Sequence, residues 1–131
     1  MDAMARLDLR RITTVVLAPT AALAAWAAVR AAGVDLVLKD GSTVGAGDVL
    51  AAALAGATAA WLVVRWLEGH SRRPRSRWAL IGSTALAVSI VGPNWLADGS
   101  SAVALIGLHA VTATVVIAGF AGTLPLRVKH P

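Results

Sequence analysis

The chain has 131 residues, of which 57% are hydrophobic and 15% charged, and its mean hydropathy is +0.71. It is therefore too apolar for a soluble domain of this length and reads as a small polytopic membrane protein. The formal charge of +5 is not joined by interleaved aromatic and basic residues, so nucleic acid is not an expected partner; the absence of cysteine excludes disulfides, thiol catalysis and cysteine metal sites.

A bilayer core of about 30 Å takes roughly 20 apolar residues per helical span, so four spans with short connections fill the length. They are predicted at 12–32, 49–67, 78–96 and 102–124. The expected fold is an all-α, antiparallel four-helix transmembrane bundle, one membrane domain over 1–131. A small extracytoplasmic β-hairpin-like loop is expected between helices 1 and 2.

Arg6, Arg10 and Arg11 precede the first apolar run, as in a signal peptide. The run is longer than a signal core of about 7–15 residues, and no turn-and-cleavage segment precedes Arg30, so a retained first span is expected. Pro19 lies inside it, where a bend is tolerable if neighbours satisfy the freed carbonyl. Between the first two spans, apolar residues alternate around Lys39-Asp40-Gly41-Ser42, and Asp-Gly suits a tight turn; this is the source of the hairpin expectation. Asp48 falls where a helix N-cap belongs.

In the second span Ala52, Gly56 and Ala60 recur at four-residue spacing, a small face that lets helices approach closely in lipid. It is expected to pack within the bundle or to seat a membrane-protein partner or a second copy. Trp61 is midway along this span, while Trp66, Trp78 and Trp95 suit interfacial anchoring. A polar linker then holds Arg72, Arg73, Arg75 and Arg77 around Pro74. It is expected to be a solvated topological signal that also touches anionic headgroups. The third span carries Ser89, Gly92 and Pro93; after a turn at 94–101, the fourth carries His109 and Thr112.

Lysine and arginine divide unevenly between alternate sides. One side would hold Arg6, Arg10, Arg11, Arg65, Arg72, Arg73, Arg75, Arg77, Arg127 and Lys129, and the other only Arg30 and Lys39. The positive-inside rule then puts both termini and the arginine-rich loop in the cytoplasm, in a multi-pass cytoplasmic-membrane topology. Arg65 lies near the inner end of its span and can snorkel to the interface.

His109 lies about 12 Å below the outer end of its span, at 1.5 Å per residue, and Ser89 falls at nearly the same depth. The imidazole is placed to hydrogen-bond Ser89 or a carbonyl released by Pro93. Two readings stand side by side: a structural tie between the third and fourth helices, and a binding or proton-linked site formed by Ser89, Gly92, Pro93, His109 and Thr112. Metal binding lacks a second intramembrane ligand, a catalytic triad lacks an acid, and no phosphate loop is present. No cofactor and no enzymatic activity are expected. At the outer edge Arg30, Asp35, Asp48 and Asp98 form a second group, in which Arg30 is expected to pair with Asp35 or Asp48 and fix the loop against the bundle, the alternative being capture of a small anionic or cationic ligand.

The order of Gly33-Val-Asp-Leu36, Thr43-Val-Gly45, Trp61, Ser89-Ile-Val-Gly-Pro93 and Leu108-His109 resembles an uncharacterised family of small four-span membrane proteins common in actinobacteria. The resemblance spans nearly the whole chain. It implies the four-span architecture and draws attention to Ser89, Gly92, Pro93 and His109, but it brings no activity. Many relatives place Met where this chain has Leu108. The leading expectation is a non-enzymatic membrane protein that packs with or modulates a partner. The runner-up is a small-solute or proton-linked transport or binding protein with its site around His109.

Overall fold

A computed structural model describes residues 2–126. Its helices are α1 (Ala3–Ala31), α2 (Ala46–His70), α3 (Pro74–Ser89), α4 (Val91–Leu96) and α5 (Gly99–Ala121). Four stretches are long and apolar enough to cross a membrane, namely Met4–Ala31, Ala46–His70, Pro74–Leu96 and Gly99–Ala121, the third being α3 and α4 together. The chain is thus built as a multi-pass membrane protein. Arg127 and Lys129, counted with the cytoplasmic charges above, lie outside the described residues.

The division between α3 and α4 follows from Pro93. Its ring has no N–H to give the carbonyl four residues back, which belongs to Ser89, and clashes with it. Accordingly α3 ends at Ser89, Ile90 N–H closes the last turn on Leu86 O, and α4 begins at Val91. Pro19, by contrast, is accommodated inside α1 without ending it.

Helix α1 packs against both α2 and α5, and α3 packs on α5, whereas α2 and α3 meet only sparingly. The buried stripe on α1 is Arg11, Thr14, Ala18 and Ala22, spaced by three or four residues on one face. Close approach is set at two glycines. A Cβ on Gly119 would lie 2.5 Å from Thr14, and one on Gly82 would lie 2.8 Å from Ile117, so these positions bring α1 and α3 onto α5. Two apolar clusters result. One gathers Ala57, Val64, Leu67, Trp78, Phe120 and Leu124, and the other gathers Leu36, Val49, Ala53, Ala97, Leu105 and Leu108.

Trp78 belongs to the first cluster rather than to an interface. It is 3% exposed, donates from Nε1 to Ile117 O at 3.0 Å, and meets Phe120 edge to face at 5.8 Å. Trp66 and Trp95 are exposed, at 55% and 77%.

The loop between α1 and α2 is not a β-hairpin. Among the described residues it forms one isolated antiparallel bridge, Val37 to Thr43, around the Asp40-Gly41 turn, where Gly41 has φ +85°. A two-stranded ribbon is marginal alone, and besides a few bonds across the turn, Leu38 N–H to Ser42 O at 2.8 Å and Val44 N–H to Leu36 O at 2.9 Å among them, the loop is tied to the helices. Val37 N–H donates to Ser101 Oγ at 3.3 Å, Ser101 Oγ donates to Asp35 O at 2.9 Å, and Lys39 N–H donates to Leu96 O at 2.8 Å. Trp26 Nε1 holds Val44 O at 3.1 Å, and Leu36 is 1% exposed beneath the loop.

At the opposite end, Arg11 joins α1, α2 and the residues after α5. It is 3% exposed and reaches Glu68 at 3.1 and 2.5 Å through its two terminal nitrogens, while Nε donates to Thr123 Oγ1 at 3.4 Å. The start of α1, the end of α2 and the residues after α5 therefore meet at one end, and the loop ties the other. Successive spans must alternate in direction for both connections to hold.

Candidate functional site

Where α2 and α3 meet only sparingly, a cleft of about 580 Å³ lies between them, with α5 as its floor. Its α2 wall includes Ala52, Gly56, Ala59, Ala60 and Val63; its α3 wall includes Ile81, Gly82, Ala85 and Ser89; its floor is Leu105, Leu108, His109, Thr112, Ala113 and Val116. Each set recurs at three- and four-residue steps, so each helix gives the cleft one face. From Val49 to Val63 the α2 wall runs about 21 Å at 1.5 Å per residue. Asp48 and Val44 line the cleft at the end near the α1–α2 loop, and Trp78 lines it towards the opposite end.

The small-residue face of α2 is thus open rather than closed against a neighbour. Ala52 and Gly56 are exposed, and a Cβ built on Gly56 meets nothing within 4 Å, while Ala60 is partly buried against the core. The expected tight helix packing is found elsewhere, at Gly82 and Gly119, where helix crossings place glycine opposite a branched side chain.

The polar side chains on the cleft wall mostly bond to their own helices. His109 is exposed, and its Nδ1 is 2.9 Å from Leu105 O. Thr112 Oγ1 donates to Leu108 O at 2.8 Å, and Ser89 Oγ donates to Leu86 O at 2.9 Å. The expected bond from His109 to Ser89 or to a carbonyl released by Pro93 is therefore replaced by bonds within each helix. In a helix the carbonyl one turn back is the nearest acceptor for such side chains. Ser89, His109 and Thr112 do share the cleft; Gly92 and Pro93 lie on α4 and do not line it.

The charged residues expected at the outer edge separate. Arg30 pairs with Asp35, Lys39 Nζ lies 3.2 Å from Asp98, and Asp48 takes neither cation. Asp48 is the third residue of α2 rather than its N-cap, which is Gly45; its carboxylate accepts from Gly45 N–H at 2.8 Å. That bond is the acidic half of a capping box, and it draws a carboxylate into the first turn, where the helix dipole favours it. In the turn itself, Asp40 accepts from Ser42 N–H at 2.9 Å and Ser42 Oγ at 2.6 Å, and these bonds hold its carboxyl below the ordinary aspartate range.

Sequence reasoning overlooked three anchors: Arg11 with Glu68, Ser101 with the loop, and Trp26 with Val44. Arg11 was counted as one more cytoplasmic charge, and only its spacing with Thr14, Ala18 and Ala22 signals that it faces inward. Trp61 Nε1 is buried with no hydrogen-bond partner among the described residues.

The match to a protein family covers residues 2–125. The chain belongs to the DUF6069 family, a family of unknown function. No curated protein and no solved structure matches it. In this DUF6069 protein the cleft gathers the polar side chains of Asp48, Ser89, His109 and Thr112 along an otherwise mostly apolar wall.

Proposed function

We propose that the protein is a non-enzymatic, intramembrane binding protein that takes a small apolar molecule from the bilayer into the cleft between α2, α3 and α5. The observation that carries this reading is the open space over Gly56 opposite an exposed His109, in a volume of about 580 Å³. Ligand sites of about 300–1,000 Å³, mostly apolar with a few placed polar groups, have this character. A non-enzymatic role is supported by the bonding of His109, whose recorded partner is a main-chain carbonyl rather than a carboxylate or nucleophile.

The test is occlusion. Gly56→Leu introduces a side chain into open space, so the fold is expected to survive while the cleft fills. Thermal stability of wild type and variant is measured in phosphatidylcholine nanodiscs against a panel of apolar small molecules. Ligand-induced stabilisation of wild type that is lost in Gly56→Leu is the expected result; equal responses of the two proteins would sink the reading.

A second reading is favoured by the same open face. Ala52, Gly56 and Ala60 lie in line on α2, which suits the helix of a membrane-protein partner or a second copy. Its mark is a change of oligomeric state or of cross-linking in Gly56→Leu, without any effect of small molecules.

For sidedness, the reading keeps both termini and the Arg72–Arg77 region in the cytoplasm, on the count of basic residues. The absence of native cysteine makes this directly measurable. A membrane-impermeant maleimide applied to intact cells is expected to label Ser42→Cys and to spare Ser76→Cys; the reverse pattern would invert the topology.

A further inference from the structure

Resting on the binding reading above, we infer that the cleft selects an apolar alcohol: a long-chain or ring molecule whose hydroxyl donates to acceptors on the wall. The argument is an inventory of donors and acceptors. Leu105 O can only accept, so the bond at 2.9 Å requires Nδ1 of neutral His109 to carry the proton. Nε2 is then the unprotonated nitrogen, a lone pair with no protein partner among the described residues. Thr112 and Ser89 have given their hydroxyl hydrogens to Leu108 O and Leu86 O, leaving oxygen lone pairs. Trp78 Nε1–H is likewise taken, by Ile117 O.

Asp48 is the remaining polar side chain on the wall, and a carboxylate accepts only. The side-chain wall therefore offers several acceptors and no free donor. A molecule bringing a hydroxyl donor satisfies His109 Nε2 in a mostly apolar cleft. A molecule with only an ether oxygen leaves that nitrogen unpaired, and a carboxylate meets no donor and the like charge of Asp48. The three neutral acceptors sit on the facing surfaces of α3 and α5, so one hydroxyl near His109 defines the head of the ligand and the alanine-rich α2 wall defines the bed for its tail.

The experiment uses a matched series, 1-dodecanol, dodecyl methyl ether and dodecanoate, titrated into the full-length protein in phosphatidylcholine nanodiscs with thermal shift and direct binding as readouts. The alcohol is expected to bind about tenfold more tightly than the ether, the range of one added hydrogen bond. Dodecanoate is expected to bind weakest. His109→Phe should erase the difference between alcohol and ether while keeping ether binding, and Thr112→Val should reduce that difference in part. Equal binding of alcohol and ether to wild type, or preference for dodecanoate, overturns the donor inference and leaves the cleft reading intact. If none of the three binds wild type, the cleft reading falls as well. Because wild-type selectivity alone decides the point, the test stands even if His109→Phe fails to fold.

Discussion

At the scale of single residues, the largest electrostatic commitment is Arg11, buried against Glu68 and Thr123. Taking one partner from a buried ion pair leaves the other charge without compensation, at about 3–5 kcal/mol. Glu68 keeps 32% of its side chain exposed, so water offsets part of that loss. Glu68→Ala is therefore expected to lower stability by about 3 kcal/mol, the low end of that range, read as a fall in thermal midpoint. Trp61 is the opposite case. Its unpaired Nε1 already costs about 1–3 kcal/mol, so Trp61→Phe should fall within about 1 kcal/mol of wild type despite the lost volume. For Asp40 the sign follows from its lowered pKa: its bonds to Ser42 are fully present above the unfolded value and are lost as pH falls through the folded one. Ser42→Ala should raise the carboxyl titration towards the ordinary aspartate range, followed by carbon-13 NMR.

Between elements, two glycines make contrasting expectations. At Gly56 a methyl group meets nothing, so Gly56→Ala should gain about 1 kcal/mol of helix propensity. At Gly119 the methyl would fall 2.5 Å from Thr14, and Gly119→Ala should lose about 1–3 kcal/mol by forcing α1 from α5. Parallel thermal melts distinguish the two. The same pair explains what the sequence made legible. Apolar runs and Pro93 report on local chain geometry, so the four spans and a carbonyl freed by Pro93 could be read directly, although the break after Ser89 falls inside what the sequence presents as one span over 78–96. Whether Gly56 or Gly119 faces another helix depends on which helices adjoin, and that is decided by residues 50 or 100 positions away. The small-residue spacing on α2 was correctly seen as a face, but its being open was not contained in the spacing. The loop misled for a related reason: alternation around Asp40-Gly41 marks a turn, while the docking of Lys39 on Leu96 and of Val37 on Ser101 is long-range.

For the molecule as a whole, the candidate site was legible as a list and not as a shape. Ser89, His109 and Thr112 were marked by being polar within apolar runs, and all three reach the cleft. Gly92 and Pro93 enter through the carbonyl that Pro93 frees and through the family resemblance, yet the break after Ser89 carries them onto a separate short helix. The two ends of the bundle are fastened differently from its flank. Arg11 joins α1, α2 and the residue Thr123 at one end, and the loop joins α1, α4 and α5 at the other through Trp26, Lys39 and Ser101. Helix α3 shares in neither clamp. It is held by the contact of Gly82 with Ile117 and the bond of Trp78 to Ile117 O, both on α5, and reaches the loop only through α4, beyond the break at Ile90. Among the described residues Trp78 thus provides the one side-chain hydrogen bond from α3 to another helix, so of the cleft's walls α3 is the one that polar bonds tie least, and widening the opening on that side sacrifices the fewest of them.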